Sequence, residues 1–548
     1  MVTRSMRQIA ALVVPLASIF AVSSLLQFRV HLHHDVAWVV HSAGWLLEGK
    51  TFGEDIVASN PPLIWYLSVP AALASRLLSI AEPTSFRCYW YVVSALLLGL
   101  MWSALRPLRS AGQAPVAGAM LLTVAYCTLI AVGRNFGQRE VLTTMRVLPY
   151  LLVVAGRLSG ERPVTWLAVL SGTLAGLGFS MKPYFLLSPV FVEACYALKR
   201  GELRSLFRPE SLALACCVGL YVALIFLVTP AYVFTVVPMV QSIYWAFAVD
   251  SVGVLSRFLP WSLLLCLTLA ILPLSHNAIR PYLVTVTLAG GGFAAAYLIQ
   301  WKGYAYHAFP LSTLLLIVVV LVISSALQNV GNLAASRPAM VHAYRIGLLT
   351  VLAMVLLPQI REVALWYQVA RICDGAYGMQ TQRLIDFADQ HAAGGTIYAF
   401  STNPYPGFPT ATHSRARWGS RMNSQFIIPA VIKSQQRPSF WGNEALREAI
   451  AFQRRVVVED FLENKPAVVF VDNREMRHAI ETADFDFLAY FTSDREFAAI
   501  WKGYREVEPI NAIRVFVREA SPAAKSSGKR AGVSLSDTAN LLHGGDAQ

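Results

Sequence analysis

The sequence predicts an α-helical polytopic membrane protein, with about eleven transmembrane helices and further interfacial helices, that carries a C-terminal α/β soluble domain. Three observations predict it. Of 548 residues, 56% are hydrophobic and only 14% are charged, and the mean hydropathy of +0.51 lies far from that of ordinary soluble domains. Apolar runs of bilayer length recur, separated by short segments that hold most of the Lys and Arg. After Val363 the charge density rises and short strand-like runs appear. The net charge of +13 is thus spread as topology signals rather than gathered into a nucleic-acid face. Of the seven Cys only Cys373 falls in the soluble part, and none forms a C-x-x-C pair. Neither a disulfide framework nor a Cys-ligated zinc site is expected.

The first apolar run, Ile9–Leu26, follows Arg4 and Arg7. It exceeds a signal peptide's apolar region, so an uncleaved anchor with a cytoplasmic N-terminus is expected. Ten further runs follow: Tyr89–Leu105, Val116–Val132, Leu142–Ala155, Trp166–Ser180, Tyr184–Leu198, Leu212–Val228, Trp261–Leu274, Tyr282–Ile299, Phe309–Leu327 and Ile346–Val363. The apolar segment Pro62–Ile80 decides the sidedness of everything after it. If it lies in the outer interface, Arg106/Arg109, Arg157/Arg162, Lys199–Arg208, Arg280 and Arg337/Arg345 are all cytoplasmic, as the positive-inside rule favours. Residues 1–365 then form a membrane domain with a first outer loop at 29–61. Residues 366–519 form a small periplasmic α/β domain, with strands at Thr396–Ser401, Ala467–Asp472 and Ala512–Arg518 and helices at Gln380–Gln390 and Glu444–Arg454. The Ser-, Ala-, Gly- and Lys-rich stretch 520–548 has the composition of a disordered tail.

Ionisable groups at the outer ends of spans are costly to bury, which makes them functional candidates. Asp35, in His31-Leu32-His33-His34-Asp35, begins an amphipathic helical pattern; an N-cap role would account for it, and so would a catalytic base facing a surface cavity. Gly133-Arg134-Asn135-Phe136-Gly137-Gln138-Arg139-Glu140 packs an acid, bases and amides between two apolar runs, with a solvated, salt-bridged turn as the plainer account. Lys182, in Met181-Lys182-Pro183-Tyr184, either snorkels to the interface or sets a point charge against a phosphate. Lys302 and His307 sit among the aromatics of Trp301–Pro310, a segment that an aromatic belt would also explain. In the soluble part, Arg415, Arg417 and Arg421 follow the loop Ser401–Pro409 and are candidates to contact an anionic acceptor; a long connecting loop with solvated charges is the alternative. Two acids, Asp35 and Glu140, with the cations Arg139, Lys182, Lys302 and His307, make an inventory suited to group transfer from a phosphate donor. A divalent metal, if one is used, would draw on His34, Asp35 and Glu140.

His34-Asp35, Trp38, Leu47-Glu48-Gly49, Asp55 and Asn60-Pro61-Pro62-Leu63-Ile64-Trp65-Tyr66-Leu67 resemble the first outer loop of the GT-C glycosyltransferases. These are the polyprenyl-phosphate-sugar-dependent enzymes that include the aminoarabinose transferases, protein mannosyltransferases and the RgtA/B/C/D-like group. The likeness extends to an acidic second outer loop, a Lys-Pro-Tyr hairpin, a Tyr-x-His segment near a Pro, and a C-terminal domain. The sequence has Asp35-Val36 where many members have Asp-Glu, and Gln-Arg-Glu where many have an Asp. The resemblance implies inverting transfer of a sugar from a polyprenyl-phosphate donor to a glycan, lipid or protein acceptor, with Asp35 as the catalytic carboxylate and Glu140 at the second acidic position. It further implies Lys182 near the lipid phosphate. The location is read from topology alone: in a bacterial inner membrane the site would face the periplasm. The competing expectation is a transporter or lipid flippase whose buried charges line a substrate path, against which stands the lack of an evident internal repeat.

Overall fold

The computed structural model describes residues 2–256, 277–334, 376–435, 444–481 and 483–519, with 258, 259, 261, 262 and 364 besides. It is mostly helical with one small C-terminal sheet. Helix α1 is Val2–Gln27, α2 His34–Leu46 and α3 Leu63–Leu78. Then come α4 Glu82–Ala104, α5 Arg106–Ala131 and α6 Arg139–Leu158. The hairpin α7 Thr165–Phe179 and α8 Leu187–Arg200 precedes α9 Pro209–Val228. Tyr232–Phe247 is α10, Arg280–Gln300 α11 and Ala305–Ser325 α12.

Among the described residues, six helices (α4, α5, α6, α9, α11 and α12) are long and apolar enough to cross a membrane. That is a helical membrane protein, but not the eleven spans expected. The difference has identifiable sources. The runs Trp166–Ser180 and Tyr184–Leu198 fold as helices of 15 and 14 residues, about 22 Å long and short of a bilayer core. Described side chains in α1 begin at Leu12, leaving Leu12–Gln27 in the same short class. Nearly all of Trp261–Leu274, all of Ile346–Val363 and the tail after 519 lie outside the described residues. At 16 residues α3 is also shorter than a full span. It is stapled to α2 where Trp65 Nε1 donates to Ser42 Oγ at 2.7 Å.

Small residues let the central helices close up. Gly172 and Gly176 on α7 face α9, and a Cβ on Gly172 would lie 2.1 Å from the Glu210 carbonyl oxygen, so only glycine permits this spacing. The bundle has two chemically distinct ends. At one, Pro107, Leu158, Glu161, Lys199 and Arg280 line a common cleft, and Arg157 pairs with Glu210 at 2.5 Å. At the other lie Asp35, Arg139 and His307. Helix α6 runs between the two ends, from Arg139 to Arg157 over about 27 Å.

In the C-terminal part the strands are β1 Thr396–Phe400, β2 Arg417–Trp418, β3 Val468–Asp472, β4 Tyr504–Ile510 and β5 Ile513–Arg518, ordered β2-β1-β3-β5-β4. Strand β1 pairs parallel with β2 and β3, whereas β5 is antiparallel to both β3 and β4. Every residue of β1 and β3 is buried, as fits central strands covered on both faces. Residues Gly407–His413 form a helix that packs on α2. Phe408 meets Trp38 with ring centroids 5.3 Å apart, and Thr412 Oγ1 donates to the Ala37 carbonyl at 3.0 Å. The loops after β1 and β3 are thereby turned toward the N-terminus of α2, the usual ligand-binding edge of a parallel sheet.

Candidate functional site

The chain enters α2 through an extended His33, whose Nδ1 caps the helix by accepting from the Asp35 amide at 3.3 Å. Asp35 therefore stands in the first turn, where the helix dipole favours a carboxylate. Opposite it runs the loop 133–138. Gly137 has φ of 79°, and a Cβ there would meet the Phe86 ring at 2.5 Å. Glycine is what allows the loop to lie this close. The approach sets Gln138 Nε2 at 3.3 Å from Asp35 Oδ2 and 2.9 Å from His33 Nδ1. With two N–H donors aimed at it, His33 Nδ1 is an acceptor and its proton resides on Nε2.

Burial would raise the Asp35 carboxyl. The His34 and His33 rings, the Arg139 guanidinium and the Gln138 hydrogen bond outweigh it and hold the pKa down at about 2. Burial also lowers both imidazoles, His33 to about 3. At neutral pH the rings are uncharged, so the full charge sustaining the Asp35 carboxylate is that of Arg139.

Arg139, the first residue of α6, is only 8% exposed. It lines the cavity beside Asp35, and among the described residues it has neither a hydrogen-bond nor an ion-pair partner. A buried, unpaired guanidinium is expensive unless an anion completes it. Arg134, exposed at the rim, is likewise unpaired among the described residues. The cavity holds about 490 Å³ between the membrane helices and the C-terminal part. Its walls include the aromatics Tyr244, Tyr304 and Tyr306, the polar groups Asn60, Asn403 and Asn423, and His478, which burial lowers to about 4. Among the described residues Asp35 is the sole carboxylate on them.

Glu140 follows a different course. It is fully buried and forms an ion pair with Lys182 at 2.6 Å. Lys182 also donates to Gln300 Oε1 at 3.1 Å and lies 3.0 Å from His307 Nε2, so three neighbours account for its three protons. Lys302 donates to the Tyr244 carbonyl at 2.5 Å and sits over that ring. Of the four cations expected near a donor phosphate, Arg139 and His307 reach the cavity wall; Lys182 and Lys302 stand behind it. The three arginines of the soluble part lie elsewhere. Arg415 and Arg417 line a separate cavity, and Arg421 is bound to Asp460 at 2.8 Å and Glu459 at 2.6 Å.

Ligand atoms of His33, His34 and Asp35 lie within 4.8 Å of one another, a group that does not include Glu140. With the Nδ1 of His33 occupied and its Nε2 protonated, two donors remain, next to two arginines. That set does not make a divalent-cation site as arranged here.

Sequence reasoning named the stretches that carry Asp35, Asn60, Arg134, Arg139, His307 and Asn403, without giving Arg134 a role of its own, and did not single out Tyr244 or Asn423. His478 it missed altogether, because the loop after β3 carries no distinguishing pattern. No family model and no curated protein matches the chain.

Proposed function

We propose that the chain is an integral membrane glycosyltransferase that moves a sugar from a polyprenyl-phosphate donor to a glycan, lipid or protein acceptor with inversion. The observation that carries this reading is Arg139, a buried guanidinium without a partner among the described residues, next to an ionised Asp35 on the wall of one cavity. In the proposed reaction the acceptor hydroxyl attacks the anomeric carbon, forming the new C–O bond while the bond from that carbon to the phosphate oxygen breaks. Asp35 orients the hydroxyl and accepts its proton as the transition state is passed. The leaving group departs as a phosphate anion, which Arg139 stabilises as charge develops, with Arg134 and the imidazole of His307 nearby. A phosphate needs no general acid, and a single carboxylate suffices for direct displacement. The Glu140–Lys182 pair then serves as a rigid neutral support beneath Arg139 rather than as a second reactive acid.

In this reading the donor's isoprenoid tail stays in the bilayer. The cavity faces the periplasm of a bacterial inner membrane, with the N-terminus and the basic end of the bundle cytoplasmic, in line with the positive-inside rule. The eleven-span arrangement belongs to the same proposal, with α1, α7, α8 and the runs at 261–274 and 346–363 completing it. The test is transfer of labelled sugar from polyprenyl-phosphate-sugar pools to acceptors in membranes, comparing wild type with Asp35→Asn at matched expression. Transfer that the variant abolishes is expected. Absence from wild type across a broad donor and acceptor panel, or no change in the variant, overturns the reading.

A further inference from the structure

A second cavity, of about 880 Å³, opens on the side of α2 away from Asp35. Four arginines line it, Arg29, Arg87, Arg415 and Arg417, together with His31, His41 and His413. The one carboxylate among its described lining residues, Glu82, is engaged by His41 at 3.0 Å. Arg87 is 4% exposed; its Nη2 donates to the Val30 carbonyl at 2.6 Å, and its buried Nε has no hydrogen-bond partner among the described residues. Neither Arg87 nor Arg417 has a carboxylate within 4 Å among the described residues. Arg415 is braced by Asp389 at 3.7 Å, and the Arg417 guanidinium donates to the Gly394 carbonyl at 3.5 Å.

The cavity's position is as informative as its charge. Its lower rim is the exposed Phe28 just after α1 and the turn Ile80–Pro83 leading into α4, an apolar span. Leu77 and Leu78 at the end of α3, 74% and 67% exposed, precede the rim residue Ile80 by three and two positions. The arginines from the C-terminal part form the opposite wall. A ligand that fits carries an anionic head at the depth where a span ends and a hydrocarbon body beside α3 and α4.

We infer that this cavity binds the phosphate-bearing head group of a membrane amphiphile, with Arg87 and Arg417 as its principal ligands and Arg29 and Arg415 beside them. Guanidinium groups suit this because their paired N–H donors match two phosphate oxygens at once. The site is independent of any reaction at Asp35, which lies in the other cavity.

Native mass spectrometry of the full chain in detergent tests it, with dihexanoyl phosphatidylglycerol as the probe, dihexanoyl phosphatidylcholine as the zwitterionic control and inorganic phosphate as competitor. The expected result is binding of the phosphatidylglycerol at least about tenfold tighter than of the phosphatidylcholine. It should weaken by about tenfold or more in Arg415→Ala/Arg417→Ala and remain unchanged in Arg505→Ala, a residue of the distant cleft beside β4. Arg417→Gln alone, at an exposed position, serves should the double variant not fold. Equal binding of the two lipids, or full retention in the folded variants, overturns the inference. Competition by inorganic phosphate at the lipid's own affinity overturns the amphiphile assignment and leaves a free-anion site.

Discussion

At the scale of residues, Arg139 and Glu140 are adjacent in sequence and opposite in circumstance. Glu140 is ion-paired with Lys182 through one carboxylate oxygen and does not line the cavity, whereas Arg139 faces it unpaired among the described residues. Arg139→Gln should therefore reduce transfer by about a hundredfold, mostly in kcat, because the lost interaction strengthens as the phosphate leaves; steady-state kinetics in proteoliposomes reads this. Glu140→Gln and Lys182→Met should each destabilise the protein by about 3 kcal/mol, with the double variant recovering part of the loss, since each single change strands a buried charge. Thermal unfolding of the three variants in one detergent decides it. The Asp35 carboxyl lies at about 2, below its ordinary value. Its charged form is thus present at all higher pH and is lost only as pH falls through that value. The transfer rate should show no ionisation of Asp35 between about pH 5 and 7. An acid limb near pH 5 that Gln138→Leu shifts upward would instead mean that the carboxyl is not held down.

At the scale of elements, Arg421 makes the sharpest contrast with its neighbours. It ties the segment after β2 to Asp460, a carboxyl that burial raises to about 6 even against that guanidinium. Arg421→Ala should lower the unfolding free energy by about 3 kcal/mol by leaving Asp460 unpaired, while the exposed Arg415→Ala should change it by less than about 1 kcal/mol. Chemical denaturation followed by tryptophan fluorescence separates the two. Three strands and two helices of this part were legible in the sequence because β1, β3 and β5 are strongly apolar or alternating. Strand β4 was not. Its Tyr504–Ile510 run is rich in Arg and Glu and mostly exposed, the composition of a protected sheet edge that reads as loop. Helix α2 and the loop before α6 were legible as chemistry because ionisable groups beside apolar runs stand out. The partition between them was hidden, since it depends on Gly137 letting Gln138 reach Asp35 and on the α7–α8 hairpin bringing Lys182 under Glu140.

At the scale of the whole molecule, the C-terminal part is a wall of the cavity. Val57 N donates to the Arg421 carbonyl at 2.8 Å, Lys433 Nζ donates to the Ala246 carbonyl at 2.6 Å, and the loops after β1 and β3 close over the end of the bundle. Sequence periodicity marks spans and strands but not this docking, because the contacts join residues hundreds of positions apart. Under the proposed transfer reading, a membrane-embedded donor would enter along the helices and an acceptor beneath the sheet loops that line the same cavity. A transporter would instead need these charges to line a path continuing past α6 to the basic end of the bundle.

The most direct measurement uses purified protein in proteoliposomes with doubly labelled polyprenyl-phosphate-sugar, following cleavage of the sugar–phosphate bond and movement of intact donor between leaflets. Wild type is expected to cleave the donor and transfer its sugar, and folded Asp35→Asn and Arg139→Gln each to lose about a hundredfold or more of that activity. Translocation of intact donor without cleavage, or cleavage indifferent to both substitutions, would contradict it.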